Sequence, residues 1–235
     1  MQPQSDRNFF RRGAFPLILL LFVGVVVAVG GVYIVREQFL KEGKSGKTAY
    51  NESKIKEQIE NPQKMPEITK EPKGELAAGP FVYEEGVVPS FSIIPPAGWE
   101  KFSPGGSTLA QFKSPEEDRV DQEDDLYVKS SPQITVAAQN MPGRTLEEII
   151  PSVRKAIPAK YDKVSVVAER KTTYAGQDAY YFEVDLSSKG VTVHSVDYYF
   201  FSNGHLVHTG GTALKEFWGE REPAISGSLA TFKLL

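Results

Sequence analysis

The sequence predicts an α+β protein: an N-terminal transmembrane helix, then one globular domain with a mostly antiparallel sheet and helices packed on it. Two observations carry this prediction. From Phe15 to Val35 every residue is apolar, Gly, Pro or Tyr. After Phe81 short apolar-alternating runs separated by turn residues dominate, and only two stretches have helical spacing.

The apolar stretch spans roughly 30 Å as a helix, the thickness of a bilayer's hydrocarbon core. A core helix would show polar residues every three or four positions. A secretory signal is shorter and ends in small residues, whereas this stretch ends Tyr33-Ile34-Val35-Arg36. Pro16 falls in the first turn, where its missing N–H costs little. Residues 15–35 are therefore expected to be an uncleaved anchor, preceded by a short basic tail, 1–14, with Arg7, Arg11 and Arg12. Arg36, Lys41, Lys44 and Lys47 nearly balance those charges on the far side. Because a long domain translocates largely regardless of charge, the short tail is expected to stay in the cytoplasm and the bulk of the chain outside.

Residues 36–80 mix Lys and Glu with Pro at 62, 66, 72 and 80 and few large apolar side chains. Such a segment reads as a flexible polar linker. The remaining part, 81–235, is long enough for one domain with its own core. Of the 235 residues none is Cys, which excludes disulfides, thiolate metal sites and a Cys nucleophile. A net charge of −3 argues against nucleic acid as a partner. The expected partners are the membrane, through residues 15–35, and a protein at its surface.

Within 81–235, PSFSIIPPAGWEKF reads as strand, turn and a second strand opening at Trp99, and STLAQFKS and PQITVAAQN as two more. Thr145-Leu146-Glu147-Glu148 has the form of a capping box opening a helix that buries Ile149, Ile150, Val153 and Ile157. Pro151 should kink or split it. KVSVVAER, QDAYYFEVDL and VTVHSVDYYFFS-NG-HLVHTGGT follow as strands. Tyr180, Phe182, Val184 and Leu186 alternate with Tyr181, Glu183 and Asp185, which marks one dry and one wet face. Asn203-Gly204 is the strongest hairpin signal. A second helix is expected from near Pro223, burying Ile225 and Leu229.

SFSIIPPAGWEKF resembles the aromatic-strand, Pro-Gly-Trp opening of the PsbP family and its Mog1-type relatives. GTALKEFWGEREPAISGSLATFKLL resembles that family's closing region of strand, small-residue turn and helix. The resemblance spans about residues 81–235. It implies an α/β/α sandwich around an antiparallel sheet, generally without enzymatic activity. The best-known members are extrinsic accessory subunits on the lumenal side of photosystem II, where they help retain calcium and chloride. Many bacterial relatives are secreted or membrane-attached. This chain departs from the photosynthetic pattern in having a membrane span and polar linker in place of a cleavable transit region.

Two constellations could carry chemistry. SPEEDRVDQEDDLY holds Glu116, Glu117, Asp118, Asp121, Glu123, Asp124 and Asp125. Such a loop, through Asp121, Glu123, Asp124 and Asp125, could bind calcium weakly, although its order of ligands is not that of an EF-hand. No other cofactor is expected. Of the three histidines, His205 and His208 lie on opposite faces of one strand. Register around Asn203-Gly204 places Tyr199 opposite His208 and Asp197 diagonal on the same face, about 7 Å off. His208, Asp197 and Tyr199 are therefore the candidate ligand-binding group. Ser90, Ser92 and Ser226 lack a hydrolase elbow. Gly105-Gly106 and Gly210-Gly211 read as turn or bulge glycines rather than phosphate cradles. The sequence-level expectation is a membrane-anchored, non-enzymatic binding or assembly module. A photosystem accessory protein and a small hydrolase using His208 and Asp197 are the alternatives.

Overall fold

The computed structural model describes residues 74–235 apart from 85, 87, 103, 122–126, 158 and 159. The expected basic tail, the apolar stretch 15–35 and nearly all of the linker lie outside those residues. Among the described residues no helix is long and apolar enough to cross a membrane.

A seven-stranded, wholly antiparallel sheet forms the centre. In chain order its strands are β3 (Glu100–Phe102), β4 (Thr108–Lys113), β7 (Gln133–Asn140), β8 (Lys163–Tyr174), β9 (Gln177–Ser188), β10 (Val191–Ser202) and β11 (His205–Leu214). Their spatial order is β3-β4-β7-β11-β10-β9-β8. A second sheet, β1-β2-β12, joins β1 (Phe81–Tyr83) and β2 (Phe91–Ile93) to the C-terminal β12 (Lys233–Leu234). Two helices, α1 (Leu146–Ala156) and α2 (Trp218–Ala230), pack on it.

Alternation along the strands divides the core in two. On one face Ile149, Ile150 and Val153 of α1 meet Tyr180, Phe182 and Leu206. On the other, Ile225 and Leu229 of α2 and Phe91 of the small sheet meet Phe112, Val136 and Phe200. The side expected to be wet is thus covered as well: Tyr181 and Asp185 are buried. The reason is the extra layer of α2 and β1-β2-β12, which a period of two in β9 cannot reveal.

Local details differ from expectation for identifiable reasons. Thr145 is the N-cap of α1 but makes no side-chain cap bond. Glu148, which would complete the box, is drawn to Arg144 at 3.1 Å. The helix runs through Pro151, which lies on the exposed side where water can take the bond its ring cannot donate. α2 starts at Trp218, five residues before Pro223, and buries Ile225 and Leu229 as expected. The acidic stretch contains a hairpin, β5 (Asp118–Asp121) with β6 (Tyr127–Ser130). Pairing also begins ahead of Phe81: Ala77 N–H donates to Pro95 O at 2.9 Å and Ala97 N–H to Glu75 O at 2.8 Å.

Candidate functional site

The β10–β11 hairpin turns at Asn203 and Gly204, with φ of 49° and 75°, the conformation a two-residue hairpin turn requires. That turn fixes the register: Tyr199 pairs with His208 and Asp197 with Gly210. Gly210 carries no Cβ, and the Asp197 carboxylate occupies the space one would fill. From there it reaches diagonally to His208, whose Nε2–H donates to Oδ1 at 2.7 Å. The expected 7 Å separation is therefore a direct hydrogen bond. Ser195, on the same face, donates its hydroxyl to Asp197 Oδ2 at 2.6 Å. The Tyr199 ring lies 4.7 Å from the His208 ring.

The group is buried, His208 at 0% and Asp197 at 7% exposure. Burial, reinforced by the nearby Asp197 charge, pushes the Tyr199 and Tyr161 phenols well above their ordinary range. The Tyr161 hydroxyl is enclosed with no hydrogen-bond partner among the described residues. The polar strip continues onto β7 and β4, where Gln111 Nε2 donates to Gln133 Oε1 at 2.9 Å and to Thr135 Oγ1 at 3.4 Å. Thr135 is the β7 partner of Gly210, so the strip is one row across the sheet.

Chemically, the carboxylate stands in the middle: it accepts from His208 on one side and from Ser195 on the other. A hydrolytic triad requires the imidazole in the middle, with serine bonded to it. Ser195 is bonded to the acid instead, so Asp197 orients His208 and Ser195 does not stand in the place of a triad serine.

The acidic stretch is drawn into ion pairs. Arg221 of α2 donates to Asp118 Oδ1 at 3.0 and 2.7 Å and to Glu116 at 2.9 Å. Lys129 pairs with Glu117 at 3.0 Å, and Arg119 with Asp121 at 2.7 Å. Burial pushes the Asp118 carboxyl up, and Arg221 pulls it back. Of the calcium candidates, Asp121 therefore faces a guanidinium, while Glu123, Asp124 and Asp125 lie outside the described residues. Among the described residues no His, Asp and Glu cluster is arranged to hold a metal.

The opposite face of the sheet holds a cluster that the sequence reading missed. His194 Nδ1 lies 2.8 Å from Asp185 Oδ1, and Nε2 lies 3.3 Å from Glu183 Oε1. Lys215 donates to Asp185 Oδ2 at 2.5 Å and the Tyr181 hydroxyl to Glu183 Oε2 at 2.8 Å. The Trp218 ring stands 4.2 Å from the imidazole. Burial works against the charged imidazole, but the two carboxylates outweigh it and hold the His194 pKa above its ordinary value. His194 itself, then burial opposing, lowers Glu183. On Asp185, burial works upward and is outweighed by Lys215 and His194. The missing signal was a turn: Lys189 and Gly190 have φ of 50° and 80°. Recognised as a hairpin, they place Asp185 opposite His194, as observed.

No protein-family model and no curated protein matches the sequence. Solved structures do match. The structure of LpqN, involved in cell envelope biogenesis of Mycobacterium tuberculosis, aligns with a TM-score of 0.51 at 11% identity, covering 68% of this chain and 91% of that one. The solution structure of cyanobacterial PsbP from Synechocystis aligns at 0.47 and 12% identity, covering 62% and 86%. A Pseudomonas aeruginosa protein of unknown function aligns at 0.44 and 11%, covering 67% and 96%. The domain has a PsbP-like α+β fold.

Proposed function

We propose that this chain is a single-pass membrane protein whose PsbP-like domain works outside the cytoplasm as a non-enzymatic binding or assembly module. One observation supports the non-enzymatic part: among the described residues the serine of the His208 group, Ser195, is bonded to Asp197 and not to the imidazole. The fold shared with LpqN supports the location, since that protein is involved in cell envelope biogenesis. The apolar stretch from Phe15 to Val35 supports the anchor.

Capture from solubilised membranes tests the module reading, with proteins co-purifying with the full chain but not with a strand-broken variant as the expected result. A reporter fused after Leu235 should be active only outside the cytoplasm, and carbonate washing should leave the chain in the membrane. A hydrolase requires His208, so a host phenotype unchanged by His208→Gln removes that reading. A host phenotype lost in that variant, with its fold intact, would instead revive it.

A further inference from the structure

The His194 cluster sits where β9 and β10 meet the corner leading from β11 into α2. The imidazole is hydrogen-bonded to Asp185 through Nδ1, while Nε2, 3.3 Å from Glu183, meets it as a charge contact without hydrogen-bond geometry; both contacts are attractive only while both nitrogens carry protons. A neutral ring has one N–H, and its bare nitrogen would then point at a carboxylate in a buried setting. The charges facing His194 are Glu183 and Asp185 from β9 and Lys215 from the corner. Arg170 of β8 adds positive charge toward Glu183, and its guanidinium lies 4.2 Å from the Tyr181 ring. The tryptophan of the corner, Trp218, is the first residue of α2 and leans on the imidazole.

What α2 touches makes this corner consequential. Arg221 holds the β5–β6 hairpin through Asp118, and Ala224 sits so close to Gly74 that a side chain there would collide with its backbone. The corner therefore sets the seat of a helix that fastens both the acidic hairpin and the segment entering the domain.

We propose that His194 is a proton-operated latch on α2. As imidazolium it ties Glu183 and Asp185 to the Lys215–Trp218 corner, and on losing its proton it releases Trp218 and frees the start of the helix. The latch acts on the folded domain wherever the chain resides, so it stands apart from the proposed location.

The test uses the solubilised full chain carrying Trp99→Phe, which leaves Trp218 as the remaining one of two tryptophans. Its fluorescence is followed from pH 5 to pH 9, since an imidazolium quenches an adjacent indole. The expected result is one transition with a midpoint above about 6.5, the ordinary histidine value. It should vanish in His194→Gln. Asp185→Asn keeps the imidazole and should move the midpoint down by about a unit. This second variant decides the matter if His194→Gln folds poorly. Hydrogen exchange of the α2 amides, corrected for its intrinsic base catalysis, should rise across the same transition. A flat Trp218 signal, a midpoint at or below the ordinary value, an unmoved midpoint in Asp185→Asn, or a transition surviving in His194→Gln each overturns the latch.

Discussion

Gly210 and Gly211 are neighbours in the chain and serve opposite faces of β11. At 210 a Cβ would collide with the Asp197 carboxylate and at 211 with Cγ2 of Ile225 in α2. Neither is the turn or bulge glycine that the sequence suggested, because a doubled glycine inside a strand is locally indistinguishable from one at its end. Gly211→Ala should destabilise the domain by about 1–3 kcal/mol, read by chemical denaturation. Combined with Ile225→Ala it should cost less than the sum of the two singles, since the second change removes the obstructing methyl. At the buried pair, His208→Ala should cost about 3–5 kcal/mol by leaving Asp197 with Ser195 alone. Replacing His208 and Asp197 together by Leu should cost less than that single change. The pairing of Tyr199 with His208 was legible because Asn-Gly permits one register. The closeness of Asp197 was not, because it depends on the empty position 210 in the third dimension.

The elements were legible where their signal was local. Asn203-Gly204 and the alternation in β9 to β11 gave those strands nearly residue by residue. The hairpin β5–β6 was hidden because half of its strand residues are charged and it is held from outside, by Arg221. Arg221→Met should therefore leave Asp118 buried without its counter-ion and cost about 3 kcal/mol or more. Amides of Asp118–Asp121 should then exchange faster than those of β9, a difference that native-state hydrogen exchange resolves. α1 is fastened by a comparable pair: Arg154 meets the buried Glu169 of β8 and donates to the Tyr180 hydroxyl at 2.5 Å. The start of α2 was misjudged because Pro223 looks like a first-turn proline, while the 3-10 turn Lys215–Phe217 carries the chain into the helix earlier.

For the whole molecule, the paired carboxylates and the imidazole bound stability from two sides. His194 has its pKa raised on folding, so its contribution is complete below the unfolded value and is lost as pH rises through the folded one. Glu183 and Asp185 have theirs lowered, so their contribution is complete above the unfolded values and fades as pH falls through the folded ones. The melting temperature should accordingly peak between these limits, and His194→Gln should flatten the alkaline shoulder while leaving an acid-side decline. Long-range closure matters equally. Phe232 stacks between Phe91 and Tyr174, at 5.3 and 5.7 Å, so the last residues complete the layer that the first strands begin. Phe232→Ala should cost about 3–5 kcal/mol by the same denaturation assay. The two-core layering was foreseen only through the resemblance, because no single strand records that both of its sides are covered.

The seat of Gly74 against Ala224, beside the short pairing of Glu75–Ala77 with Pro95–Ala97, has a mechanical corollary. Among the described residues, a pull applied at Gly74 meets two hydrogen bonds and one tight backbone contact before it reaches the sheet. Under load this fastening should peel at low force, releasing a few residues at the domain's edge while the seven strands stay intact.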